Sequence, residues 1–518
     1  MPRGCANPLD YRAVMLDSIH RFIEIKVLEY ELMQTIFLNR LHKIKQLGFT
    51  YLIYPSAKHT RFEHSVGVMH IAGRMAERLA EKNPNLLLER RTGRAKSYLV
   101  ELARLAGLLH DLGHVAYSHN LEAPLKSAIE NPAEYSLDPA KVNYEYYIRA
   151  GKPHEVYTRT FLGRLIRELE NHECISGSIS LLKAALASLS GEEAHDELVD
   201  YDINPRALGI VAQLISHSVV DADRLDYLIR DAHSTGVLFG YVDIDRFIDS
   251  LRIEEHGDKL VLTIEPKGIP VVEDAYDARF KMYRSVYLHH KGVALVNALA
   301  KMLRYLFSSW DDAALEAYRE CLGGPEGLFD PYKLADCISD CRIQYVDYEF
   351  DVMILQASTR SDSLGRWAKA LLHRRDLLPV SLVKRPESII SRITSEAKER
   401  GWTVTPETLV RAIRVKYSTI ADEIRENVSR YLKARGAKDP EAEVMIEHII
   451  REGEVELPRG FESLYLRNLI DSGRIPLIFV YAYDEDEGSH RLIYRNADRL
   501  RQSVENIIVS SVLEELKR

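Results

Sequence analysis

The chain has 518 residues, 46% hydrophobic and 28% charged, with 27 Gly and 19 Pro; this excludes collagen-like, low-complexity and largely disordered classes and suits two or three globular units. Lys and Arg number 69 against 77 Asp and Glu, a formal net charge of −8, so the molecule as a whole is no nonspecific nucleic-acid or membrane binder and any basic site is local.

The opening MPRGCANPLDYRAVML lacks the basic, apolar and small-residue blocks of a secretion signal, and no run of about 18 uncharged apolar residues follows. Neither secretion nor a membrane span is expected. Cys5, Cys174, Cys321, Cys337 and Cys341 are too few and too irregular for a disulfide framework, which points to a reducing cytoplasm. Six glutamines against abundant Glu, Lys and Arg is the bias of a heat-adapted proteome.

Residues 61–82 place Val66, Met69, Ala72, Gly73, Met75, Ala76 and Leu79 on one helical side, and Asn83-Pro84 ends the run. Residues 97–111 repeat the pattern. A third helix is expected from Asn204-Pro205 to about Ala232, with Asn as N-cap and Pro in the first turn. Residues 251–265 read as a hairpin turning at His256-Gly257-Asp258, and 277–307 as helix. Gly323–Gly327 marks a loop. Residues 477–483 form a buried-strand pattern, followed by an acidic turn, a second short strand and a terminal helix from about Asn496. The charge-dense segments 365–400 and 411–438 read as solvated helix faces. The expected class is mainly α with a β-hairpin insertion and a smaller α+β C-terminal region, divided as 1–320 and 321–518.

The chemistry concentrates in His110-Asp111-Leu112-Gly113-His114, at the end of an apolar helix. A charged aspartate beside two imidazoles is costly to bury unless a cation compensates it. Imidazole and carboxylate ligands suit Mn, Fe, Co, Ni or Zn and tolerate Mg. Further ligands are available in His64 upstream and in the Asp221, Asp223, Asp226 group downstream. Asp223, Tyr227 and Arg230 share one helix face. Asp226 and Arg230 read as an ordinary surface pair at i,i+4, worth a few tenths of a kcal/mol.

This spacing, with the flanking text RFEHSVGVMH, LLHDLGHVAYSH and DADRLDYLIRDAHSTG, resembles the HD-domain metal-dependent phosphohydrolases, and within them the deoxynucleoside-triphosphate triphosphohydrolases, from about Leu16 to Leu295. The resemblance implies an HD-domain helical fold and a divalent metal held by His64, His110, Asp111 and Asp223. It implies that His114, His119 and His154 lie at the scissile ester, with His119 as general acid and His154 as its neighbour or substitute, while Glu122 and Glu155 orient the imidazoles. Arg61, Arg224 and Arg279 would meet the phosphates. Tyr227, Asp231 and Tyr287 would contact sugar and phosphate, and Gln46 and Leu47 would pack under the sugar. The plain alternative for Gln46 is an exposed loop residue.

The implied reaction is hydrolysis of a dNTP to deoxynucleoside and inorganic triphosphate. The implied partners are a nucleotide substrate, a nucleotide effector and further copies of the chain, as dimer or tetramer. Nucleic acid is a secondary partner and a membrane is not one. Vertebrate members place an Asp and an Arg in a guanine-nucleotide activator site where this chain has Gln34 and His42, a departure that speaks against the same activator. The alternatives are a phosphodiesterase or single-strand nuclease on the same metal and histidines, and a nucleotide-sensing or nucleic-acid-binding protein with little turnover. His59, His70, His217 and His233 read as structural. Cys337 and Cys341, at i,i+4 with no second pair, make no zinc site.

Overall fold

The structure, a computed structural model, describes residues 7–142, 152–172, 175–217, 220–373, 377–447 and 464–518. It opens with an antiparallel hairpin of β1 (Tyr11–Asp17) and β2 (Arg21–Lys26), in which Leu16 pairs with Phe22 while Ile23 and Ile25 turn inward. No expectation covered this hairpin. The first residue of β2, Arg21, has φ 65°, and the turn before it has none of the Gly or Asn that usually signals such backbone.

Chain contacts divide the described residues into two units that interleave in sequence, whereas the sequence reading placed a single boundary after residue 320. Of the described residues, the first comprises 7–282 and Trp310–Phe350, and the second Tyr283–Ser309 with the remainder.

In the first unit, α1 (Arg61–Lys82) has the expected bounds. It starts at a capping box, in which the Thr60 N–H donates to Glu63. Helix α2 (Gly93–Leu109) begins earlier than expected because Thr92 caps it, accepting from the Ala95 N–H at 3.0 Å. It also ends two residues early, which leaves His110 and Asp111 on the turn that follows. Then come α3 (His119–Glu130) and α4 (Pro153–Leu169).

The single helix expected over 205–232 is instead two, α5 (Ala207–Ile215) and α6 (Ala222–Thr235). Ser216 is extended, and Asp221 restarts the helix by accepting from the Arg224 N–H at 2.7 Å and the His217 N–H at 2.9 Å. The hairpin of β3 (Leu251–His256) and β4 (Lys259–Ile264) falls where expected. The helix expected over 277–307 is also divided, by a π-helical turn at Tyr283–Tyr287 between Ile269–Met282 and His290–Ser308. In place of a loop, Pro325–Phe329 forms a helical turn, and a disulfide joins Cys321 to Cys337 across helices Glu316–Leu322 and Pro331–Ser339. The cysteine count gave no sign of this bridge; only the fold brings its two ends together.

The second unit holds a three-stranded antiparallel sheet ordered Val380–Ser381, Leu477–Asp484, Pro440–Glu447. The central strand is buried at every position, in keeping with its apolar run. The edge strand starts at a proline and alternates with charges, which hid it from pattern reading. After the acidic turn there is no further strand: Asp486 caps a helix, Glu487–Leu516, through the Ser489 N–H. That helix and Pro406–Lys433 enclose a core of Ile413, Ile420, Ile424, Val504, Ile508 and Val512. Among the described residues no helix is long and apolar enough to cross a membrane.

Candidate metal centre and histidine cluster

Three helix ends meet in the first unit. The first turn of α1 supplies His64, the turn after α2 supplies His110 and Asp111, and the first turn of α6 supplies Asp223. Donor atoms of His64, His110 and Asp223 all lie within 4.8 Å of one another. Asp223 Oδ1 is 2.9 Å from His64 Nε2 and 3.7 Å from His110 Nε2. Asp111 stands 3.3 Å from His110 Nε2 and 3.6 Å from His64 Nε2.

The protonation pattern of the imidazoles suits a cation. His110 Nδ1 is 2.8 Å from the Gly107 carbonyl and His64 Nδ1 is 2.8 Å from Asp226 Oδ2, so each Nδ1 carries the proton. Both Nε2 atoms are buried and face carboxylates, His64 towards Asp223 and His110 towards Asp111. Burial alone would lower the His64 pKa, but Asp223 and Asp226 outweigh it and push it up to about 10; the pocket asks for positive charge. Burial raises Asp111 and Asp223, yet the imidazoles beside both, and Arg61 beside Asp111, hold the two carboxyls below the usual range. Two imidazoles and two ionised carboxylates gathered in this way could hold a divalent metal ion, which would displace the extra proton from His64.

Arg61, expected at the phosphates, is buried and pairs through Nη1 with Asp111 Oδ2 at 2.6 Å and through Nε with Ser118 Oγ at 2.9 Å. Ser118 escaped the sequence reading. Tyr117 and Ser118 both have positive φ, a conformation uncommon without glycine, and the Tyr117 N–H is held by Asp347 at 2.7 Å. Gln46 is 5% exposed, which removes the exposed-loop reading. Its backbone is tied by its N–H to the His59 carbonyl at 2.9 Å, and its Oε1 is buried without a hydrogen-bond partner.

A second group adjoins the first. Donors of His114, His119, Glu122 and His154 also lie within 4.8 Å of one another, and His114 Nε2 is 3.3 Å from Asp111 Oδ1, which makes the two groups continuous. Glu122 takes His119 Nδ1 on one oxygen and His154 Nδ1 on the other, each at 2.5 Å. Burial would raise the Glu122 carboxyl, but His154 and His119 hold it well below the usual range, so it is an anion. The His119 side chain is 59% exposed, whereas those of His154 and His114 are buried. Gly113 permits this packing: a Cβ there would lie 2.1 Å from the Thr158 N atom. Glu155 is not one of these four donors, and its carboxylate lies 3.8 Å from Lys152 Nζ.

Arg40 braces the loop between the groups. Its buried guanidinium donates to the carbonyls of Leu112 (3.1 Å) and His114 (2.8 Å), and to those of Gln344 (2.6 Å) and Tyr345 (2.9 Å). No signal in the sequence marked it. Arg224, in the first turn of α6, lies near enough to the buried Arg279 for the two cations to repel, with Tyr227 also close. Asp231 is buried and 2.7 Å from His59 Nε2. Leu47 is half-buried, and Tyr287 belongs to the second unit.

A family model described as HD domain matches residues 61–231. An uncharacterised protein of Methanocaldococcus jannaschii is 32% identical over 276 residues, 53% of this chain and 46% of that protein. The deoxynucleoside triphosphate triphosphohydrolase SAMHD1 of Homo sapiens is 28% identical over 307 residues, 59% of this chain and 45% of that protein. The chain thus spans about half the length of the curated relatives it matches. The crystal structure of a hypothetical protein from Aquifex aeolicus, 21% identical, superposes with a TM-score of 0.54 over 94% of this chain and 99% of that one, a likeness of fold alone. The donors of both groups all fall inside the span that matches the HD domain.

Proposed function

We propose that the protein is a metal-dependent phosphohydrolase that cleaves deoxynucleoside triphosphates at the α-phosphorus, releasing deoxynucleoside and inorganic triphosphate. The observation that carries this reading is the junction at Asp111, which touches the metal donors on one side and His114 of the histidine cluster on the other. Similarity to a protein named as a deoxynucleoside triphosphate triphosphohydrolase supports the substrate class.

His64, His110, Asp111 and Asp223 would hold the ion. When bound, it supplies Lewis-acid polarisation of a phosphoryl oxygen and activation of water. His119 is the general acid of this reading: Glu122 fixes its Nδ1 and its ring is open to substrate, and because desolvation holds its pKa below the ordinary imidazole value against the pull of Glu122, its Nε2 takes up a proton before passing it to the leaving 5′ oxygen. His154 and His114, both buried, line the same ester. Arg224, which stands 3.9 Å from Asp221, and the buried Arg279 are proposed for the phosphate chain on the resemblance. Arg61 serves the same anion from the metal side. Gln46, Leu47, Tyr227, Asp231 and Tyr287 are proposed for the sugar and phosphate contacts, and Glu155 for support of the imidazoles, on the resemblance. Assembly as dimer or tetramer, a nucleotide effector, a cytoplasmic location and a heat-adapted source belong to the same proposal.

The test is to incubate the full chain with each dNTP, each NTP and a single-stranded oligonucleotide, in Mn or Mg, with and without a second nucleotide. Triphosphate released from a dNTP is the expected result. Its absence in every mixture overturns the reading, and shortened strands without triphosphate would favour a nuclease.

A further inference from the structure

Behind the metal donors lies a carboxylate with no place in the chemistry above. Asp226 is 0% exposed, where the sequence predicted a solvated i,i+4 pair with Arg230. The pair exists, with Arg230 Nε 2.8 Å from Asp226 Oδ2 and Nη2 3.0 Å from Oδ1, but it is buried. Asp226 Oδ2 also meets His64 Nδ1 at 2.8 Å, and Oδ1 meets His20 Nε2 at 2.7 Å. Arg230 Nη1 reaches on to Asp17 Oδ2 at 2.8 Å. Asp17 ends β1, and His20 sits in the turn before β2, so both come from outside the matched span of residues 61–231.

The packing is shaped for that carboxylate. Gly67 lies one turn after His64 on α1, and a Cβ there would fall 1.9 Å from Asp226 Oδ1 and 2.6 Å from Arg230 Nη2. Only glycine leaves the space. Asp17 and Asp226 against Arg230 also leave one net negative charge buried behind His64, which favours a cation on its far side.

We propose that Asp226 is the positioning residue of the metal centre and that His20, from the N-terminal hairpin, completes its support. An imidazole offers a metal only its unprotonated nitrogen, and a carboxylate on the other nitrogen fixes both tautomer and ring plane. Asp226 does this for His64. His20 and Arg230 in turn fix the carboxylate, so the metal centre extends to residue 17. This inference rests on the reading of His64 as a ligand.

The experiment is a Co(II) titration of the chelator-stripped full chain, followed by calorimetry and by the visible absorption of the bound ion rather than by turnover. Asp226→Asn keeps the shape but sets an amide NH2 against the donors of His20 and Arg230, and affinity should fall 10- to 100-fold with a changed Co(II) spectrum. A folded Asp226→Asn chain with wild-type affinity and spectrum overturns the proposal. If that variant does not fold, His20→Gln decides: several-fold weaker binding supports it and unchanged binding overturns it. His64→Ala separates the two readings. If it binds as tightly as wild type, or if wild type binds nothing, the ligand assignment itself fails and this inference with it. If His64→Ala weakens binding and Asp226→Asn does not, only this inference fails.

Discussion

Glu122 meets His154 twice: one carboxylate oxygen accepts from the His154 backbone N–H at 2.9 Å and from its ring Nδ1 at 2.5 Å. The same side chain thus satisfies an orphan donor in the first turn of α4 and aims an imidazole into the site.

Glu122→Gln replaces an anion that takes two imidazole donors by an amide with a single acceptor oxygen. We expect turnover to fall about 10²- to 10⁴-fold, the range of general acid–base assistance. Metal content, measured by elemental analysis, should stay at the wild-type stoichiometry because the His64, His110 and Asp223 donors are untouched. Loss of metal along with turnover would mean that Glu122 belongs to the ion's own shell.

Metal should stabilise the fold. An ion that binds only the native state adds about 2.7 kcal/mol at a hundredfold excess over its dissociation constant. Mn added to stripped protein should therefore raise the melting temperature, and in Asp223→Ala that rise should disappear. An equal rise in both chains would place the stabilising ion elsewhere.

Glu101 predicts a pH slope unrelated to the active site. It is fully buried on α2, with Lys26 Nζ on one oxygen at 2.6 Å and no hydrogen-bond partner on the other. Burial, reinforced by the Glu29 carboxylate, raises its pKa from 4.5 to about 7 against the pull of Lys26. A carboxyl raised in the fold binds its proton more tightly there than in the unfolded chain. Its contribution is fully present below pH 4.5 and is lost as pH rises through about 7. Glu101→Gln should flatten that part of the stability profile in denaturant titrations and melt higher than wild type at pH 8.

Breaking the Cys321–Cys337 bridge releases a loop of sequence separation 16. Chain entropy for a loop of that size sets the loss at about 3 kcal/mol. Thermal melts with and without reductant should show it, using Cys341→Ser as background because Cys341 is free and exposed. Equal melting temperatures would mean that the bridge does not form in solution.

The metal donors were legible because few residue types can do their work, and because they fall at helix ends that the patterns of α1 and α2 already marked. Asp223 was legible for its chemistry while its helix was misdrawn: nothing local separates Asp221 as a cap from Asp221 as a mid-helix residue. The supports were not legible. Asp226 and Arg230 form an i,i+4 pair whether buried or solvated, and one of the groups packed on Asp226 is His20, 206 residues away in sequence. Ser118 carries no local signal; the fold alone sets its hydroxyl 2.9 Å from Arg61 Nε. The division of the expected helix at Tyr283–Tyr287 likewise has no breaker in its sequence.

Arg40 sets an order of events during synthesis. A nascent chain that has emerged as far as Asp231 already carries His64, His110, Asp111 and Asp223, but the carbonyls of Gln344 and Tyr345, which take two of the four hydrogen bonds of that guanidinium, are more than a hundred residues from being made. Until they arrive, the guanidinium has the Leu112 and His114 carbonyls and the Phe161 ring but only half of its carbonyl partners. The loop that carries Asp111 and His114 is therefore expected to take its final form only after Tyr345 has been made, and a fragment cut to the matched span would lack Arg40 and two of its four carbonyl partners.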